Sequence, residues 1–330
     1  MKKIIFPLII CLIILSFFVF RNSEPMLKQN VEILNNNRGR IVATEEIDIQ
    51  NFIKENFYNN SPEYWDEQLK KAEGFKHLKL HYSSGDSKAE AYMIRPKKEG
   101  NYPVLILSRS INSTKLNKER GVLWISPFAS NNYIILSPSY KNINNFMESD
   151  KYISEDTQNF LDLFPMIKSL PYADENNIFM LGNSKGGMLT YQAIKEDIEG
   201  INIKAAAVTG APTDLIQYYN DSIWGEQEAI KEKIGTPEEN REAYVSKSPY
   251  YWPEEINVPL LIQHGEKDKE IDVVHATKLN DKLTNQDIDH KLITFSNGSH
   301  LLQEDSKIYS ESIENIYNWF KKYGDIESPF

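Results

Sequence analysis

Short apolar runs separated by amphipathic stretches dominate the chain from Pro103 onward. The runs cover residues 104–107, 133–136, 178–181, 205–208, 260–262 and 292–295. Each is too short for a helix and too continuously apolar for a half-exposed strand. They predict parallel strands buried on both faces, covered by helices over amphipathic stretches such as 155–170 and 273–283. Ahead of them, residues 77–82 and 89–95 flank Ser84-Gly85-Asp86 and predict a hairpin at an antiparallel edge. Residues 47–73, with Phe52, Ile53, Phe57, Tyr64, Trp65 and Leu69 as apolar positions, predict a helical region. The expected class is therefore α/β, a mostly parallel central sheet with helices on both faces.

Two segments depart from that alternation. Residues 214–257 form a long helix-rich insertion carrying Tyr218, Tyr219, Trp224, Tyr244, Tyr250, Tyr251 and Trp252. It reads either as a packed helical layer or as a cap that walls a site and touches its ligand. The other is the N-terminus, where Lys2 and Lys3 precede an uncharged run over residues 4–20 that ends at Arg21. That run is long for a signal-peptide core, and no small-x-small cleavage pattern follows it. Residues 1–21 are expected to be an uncleaved single-pass anchor, with the paired lysines inside and the body outside the cytoplasm. Secretion after cleavage is the alternative. A polar, Asn-rich linker over residues 22–45 would then lead to one large α/β domain over 46–330.

Charge and cysteine usage narrow the chemistry. The net charge is −10, and the first 25 residues are positive by 2, so the body carries −12. An acidic body of that size repels phosphate backbones, so no nucleic acid partner is expected. The single cysteine, Cys11, lies in the apolar run, which leaves the body without a disulfide, a thiol nucleophile or a cysteine metal site. No His-Glu-x-x-His, phosphate loop or dinucleotide fingerprint occurs, so neither a metal nor an organic cofactor is expected.

The strongest motif is Gly182-Asn183-Ser184-Lys185-Gly186-Gly187, set between an apolar run and a helix expected to begin near Gly186. A strand-to-helix turn with glycines around a serine is the arrangement of a nucleophile elbow. The helix start aims its N–H groups and dipole at developing negative charge, with the Lys185 N–H as one oxyanion donor. A serine of this kind needs a base, and the base a carboxylate, in the chain order Ser, Asp or Glu, His. His300 follows the turn Asn297-Gly298-Ser299 after the last apolar run, whereas His275 falls in an expected helix and His290 in an expected strand start. His264 precedes the candidate acid. Asp268, just past the run 260–262, is the favoured acid, with Glu266 and Asp272 as competitors.

The elbow, the His264-Gly265-x-x-Asp268 turn and Gly298-Ser299-His300 together resemble the catalytic domain of the prolyl oligopeptidase (S9) family of α/β-hydrolases. Leu170-Pro171-Tyr172-x-Asp174 and Gly235-Thr236-Pro237-Glu238 fit the same pattern, and the resemblance spans roughly residues 82–323. It implies a Ser184–Asp268–His300 triad acting through an acyl-enzyme on a small peptide. Two departures stand out. The loop that normally supplies the second oxyanion donor reads Ser108-Arg109-Ser110-Ile111-Asn112 in place of a glycine-rich turn, with Ser110 as the expected donor. Loss of such a donor costs about 10²–10³ in rate. No gating propeller is expected in the roughly 60 residues between the apolar run and the first strand, because several blades need about 40–50 residues each. A carboxylesterase on the same machinery is therefore the alternative, and a catalytically silent surface binding protein the reading from another class.

Overall fold

The computed structural model describes residues 38–108, 118–130, 132–139, 155–196, 198, 201–222, 224–324 and 326. The expected anchor over 1–21, most of the expected linker and Ser110 lie outside these residues. Among the described residues, no helix is long and apolar enough to cross a membrane.

Apolar runs buried on both faces build the middle of one nine-stranded sheet; the run 292–295, expected to be buried likewise, lies at its edge and only Phe295 of it is buried. The strands of the sheet are β1 (Ile41–Glu46), β2 (Phe75–Ser84), β3 (Ser87–Pro96), β4 (Tyr102–Ser108), β5 (Ile134–Ser139), β6 (Ala173–Asn183), β7 (Ile203–Thr209), β8 (Leu260–Gly265) and β9 (His290–Phe295). The spatial order is β1-β2-β3-β5-β4-β6-β7-β8-β9. Pairing is antiparallel from β1 through β3 to β5 and parallel from β5 to β9. Side chains alternate between two cores: Val104, Ile106, Ile178 and Met180 point to one face, and Leu105, Leu107, Phe179 and Leu181 to the other. A strand that feeds two cores must be apolar at every position, which is why these segments read as continuous runs.

Eleven helices are described. On one face lie α1 (Ile49–Asn56), α2 (Pro62–Ala72), α3 (Lys118–Ile125) and the C-terminal α11 (Ser306–Tyr323). The other face carries α4 (Glu155–Leu161), α5 (Leu163–Lys168), α6 (Lys185–Lys195), the insertion helices α7 (Leu215–Asp221), α8 (Trp224–Ile234) and α9 (Arg241–Ser246), and α10 (Val274–Asn285). Small residues Ala205 and Ala207 on β7 let α11 lie close, with Trp319 and Phe320 in the same core.

Two further sequence expectations are corrected here. The helical region over 47–73 is two helices broken at residues 57–61. Pro62 opens α2 without an N–H to give and disfavours helical backbone at Ser61. The linker expected to run to residue 45 gives way at Ile41 to β1, which among the described residues pairs with β2 alone. Its largely exposed pattern carries no apolar alternation, so it does not read as a strand.

The inter-face packing is testable at Phe179, which is fully buried with its ring centroid 5.2 Å from that of Phe320. Phe179→Ala is expected to cost about 3–5 kcal/mol in chemical denaturation. A loss below about 1 kcal/mol would mean that this core collapses around the change.

Candidate active site

Strand β6 ends at Asn183 and α6 begins at Lys185, so a single residue, Ser184, turns the chain from sheet to helix. Its backbone sits at φ 54° and ψ −129°, a region that costs a non-glycine residue about 1–3 kcal/mol. The surroundings hold it there. The Ser184 N–H donates to Thr209 O at 2.9 Å, and its carbonyl accepts from the Gly187 N–H at 2.8 Å. A Cβ on Gly182 would stand 2.6 Å from the Gly187 Cα, and one on Gly187 would meet Val208 and Ala211 at 2.5 Å. Gly182 is thus needed because β6 and α6 cross at backbone contact, and Gly187 because Val208 and Ala211 press on it.

Two further loops leave the same end of the sheet. One follows β8 and carries Asp268; the other follows β9 and carries His300. They touch at Gly265, where an added Cβ would lie 2.3 Å from the Gly298 carbonyl oxygen. The Lys267 N–H donates to Gly298 O at 2.9 Å and closes the crossing. Just past His300, Leu302 is buried and adopts φ 60°, which bends the loop back toward the sheet.

These turns bring the three residues into line. His300 Nε2 lies 2.9 Å from Ser184 Oγ, and His300 Nδ1 lies 2.7 Å from Asp268 Oδ2. The other carboxylate oxygen, Oδ1, accepts the backbone N–H groups of Glu270 (2.8 Å) and Ile271 (2.9 Å). Glu266, a competitor in sequence, instead accepts from the Thr294 hydroxyl, and Asp272 from the Val274 N–H in the turn into α10.

His264 has a place that its position ahead of the acid concealed. It is fully buried, with Nε2 2.8 Å from the Ile271 carbonyl oxygen and 3.2 Å from Asp268 Oδ2. One ring N–H therefore closes the acid loop and also faces the acid. Burial opposes charge on Asp268, but hydrogen bonds from His264, His300 and the Ile271 N–H outweigh it. They hold the carboxyl well below the usual carboxylate range.

The remaining downstream histidines do not face Ser184. His290 lies 2.6 Å from Ile288 O through Nδ1 and 3.2 Å from the Thr284 hydroxyl through Nε2. His275 is buried in α10, where its Nδ1 accepts the Thr213 N–H at 3.3 Å. Of the expected oxyanion donors, Lys185 opens α6 directly after the serine, and Ser110 is outside the described residues. Among the described residues, no cluster of three His, Cys, Asp or Glu side chains has the makings of a metal site.

The insertion has the packing role expected of it, and it also contacts the elbow. Tyr218, Tyr244 and Trp252 are buried in the core, which is the packing role. Helix α8 also reaches the elbow: Lys185 Nζ lies 3.3 Å from Glu226 Oε1, an oxygen that also accepts the Tyr218 hydroxyl. Asp214 caps α7 and accepts the Tyr251 hydroxyl as well. The Lys185–Glu226 link joins residues 41 positions apart and leaves no local signal in the sequence.

A model of the prolyl oligopeptidase family matches residues 141–326, more than half of the chain. The chain belongs to that family. It is accordingly a hydrolase of the serine peptidase kind. A Bacillus subtilis (strain 168) protein described as uncharacterized peptidase YtmA is 25% identical over 214 residues, covering 63% of this chain and 80% of its own. The Caenorhabditis elegans dipeptidyl peptidase family member 2 is 28% identical over 138 residues, 41% of this chain and 16% of that protein. Among solved structures, the Pyrococcus horikoshii acylaminoacyl peptidase superposes with a TM-score of 0.65 at 18% identity, over 80% of this chain and 44% of that one. A likeness at that identity concerns the fold, here the α/β-hydrolase architecture. The chain spans less than half the length of that structure.

The buried histidines give the folded state a pH dependence. Burial pushes the His275 and His77 imidazoles down to about 4, so below their unfolded value near 6.5 the unfolded chain binds more protons. Stability is expected to fall as pH drops from about 6.5 to about 4. His275→Gln should flatten that fall in thermal melts run across the range. An unchanged slope would mean that His275 is not buried neutral.

Proposed function

We propose that the chain cleaves peptide acyl bonds through a Ser184–His300–Asp268 triad and an acyl-enzyme. The observation that carries this reading is the unbroken relay Ser184 Oγ–His300–Asp268 at 2.9 and 2.7 Å, on an elbow backbone strained into position.

Ser184 Oγ attacks the carbonyl carbon while His300 Nε2 takes its proton. Asp268 stays ionised, fixes the tautomer through Nδ1 and stabilises the imidazolium. The Lys185 N–H at the start of α6, with a donor at Ser110, receives the oxyanion. His300 then returns the proton to the leaving amine, and water repeats the sequence to free the acid and Ser184. His264 acts through Asp268 as a positioning residue.

The peptide preference rests on family membership and on relatives described as peptidases. The same atoms hydrolyse esters, so turnover of matched amide and ester substrates decides between a peptidase and a carboxylesterase. The proposal includes a tether: the apolar residues 4–20 hold the body on the outer side of a membrane. Fractionation of cells expressing the full chain should then leave it in the membrane pellet after a salt wash, and recovery in the soluble fraction would contradict the tether.

A fluorophosphonate probe tests the nucleophile. The full chain is expected to label on Ser184, and Ser184→Ala to lose the label with its fold intact. Absence of labelling in the folded wild type would instead favour a silent surface binding protein.

A further inference from the structure

The reacting residues occupy the C-terminal ends of the parallel strands. A separate groove lies at the opposite end of the sheet, where β2 begins and β3 finishes. Phe75 pairs with Pro96 there, and Ile94 pairs with Ile135 at the start of β5. The groove has a volume of about 890 Å³, within the range of small-molecule sites. Its apolar walls come from Ile49 and Ile53 of α1, Trp65 of α2, Phe75 of β2, Leu123 of α3 and Pro127 just after α3.

His77 is the polar group in this lining that is hardest to explain by packing. It shares the Phe75 face of β2 and is only 5% exposed. Its ring meets the Phe75 ring edge-on at 6.5 Å and has no hydrogen-bond partner among the described residues. Its ring nitrogens are not among the sealed, unpartnered polar atoms of the described residues; they open on the groove, where a ligand acceptor can take the place of solvent. Burial and the nearby charge of Lys97 push the imidazole down to about 4, so at neutral pH it has one N–H to donate in a positive field. At the mouth stand Lys70 and Lys71. Lys71 is tied to Glu67 at 2.9 Å, and Lys70 has no carboxylate within ion-pair distance among the described residues. Tyr64, 55% exposed and unusually so for a large ring, lies on the same rim and packs edge-on against Trp65.

We infer that this groove binds a small monocarboxylate with an apolar body. Its carboxylate accepts the His77 N–H within the field of Lys97, and its body lies against Trp65, Ile53 and Leu123. Lys71 is balanced by Glu67, which also lines the mouth, so Lys70 is the cation there that favours entry of an anion over a cation or a neutral amphipath. Chemistry at Ser184 does not enter this inference, and the two stand or fall separately.

The test is titration of the full chain with decanoate and with decanol, followed by tryptophan fluorescence. Decanoate is expected to saturate and to bind about tenfold or more tighter than decanol, the worth of one charge-assisted hydrogen bond. His77→Phe should bring decanoate down to the level of decanol. Ala129→Trp, which fills the groove from its rim and leaves His77 in place, should abolish binding of both and serves if the His77 variant fails to fold. Ser184→Ala should bind decanoate as the wild type does. Equal affinity for acid and alcohol, binding indifferent to Ala129→Trp, or binding lost in Ser184→Ala would each overturn the assignment.

Discussion

The geometry of the candidate site depends on one crowded crossing, that of β6 with α6. Their backbones approach so closely at Gly182 and Gly187 that no side chain fits between them. The chain has one residue in which to turn, and Ser184 takes up the resulting strain at φ 54°. Strand β7 behind it, through Thr209 O, and the first turn of α6, through Gly187, hold that backbone on both sides. Strain of this kind persists only where packing over-determines it. Here the fully buried strands and the two cores they feed provide that packing.

The acid loop solves a different problem, that of keeping a charge on a buried carboxylate. Asp268 succeeds because each oxygen has two donors in reach: two backbone N–H groups on Oδ1, and the imidazoles of His300 and His264 on Oδ2. In the proposed reaction an ionised, buried Asp268 orients His300 and stabilises the imidazolium formed during attack. His264 contributes twice, by holding the loop closed through Ile271 and by facing the acid.

How much of this was legible in the sequence follows from where the information resides. Strands β4 to β8 announce themselves because burial on two faces demands unbroken apolar runs, whereas β9 lies at the sheet's edge and is mostly half-exposed. The elbow is legible because backbone crowding demands glycine at fixed spacing. Strand β1 is not, since an exposed edge needs no apolar pattern, and the break at residues 57–61 is masked by apolar positions that continue through it. Pro62 was the available signal. The positions of Asp268 and His300 follow from strand ends, but the second donor on Asp268, the Lys185–Glu226–Tyr218 link and the left-handed Leu302 arise from contacts between distant segments. His77 likewise reads as an ordinary inward residue of β2 until the helices across from it are in place.

In the proposed reaction a buried, ionised Asp268 makes His300 the base for Ser184. Steady-state turnover by Asp268→Asn tests it most directly, because the amide keeps the shape and removes the charge. The relay predicts a fall in kcat of about 10⁴ with the fold intact. Turnover within a few-fold of the wild type would contradict it.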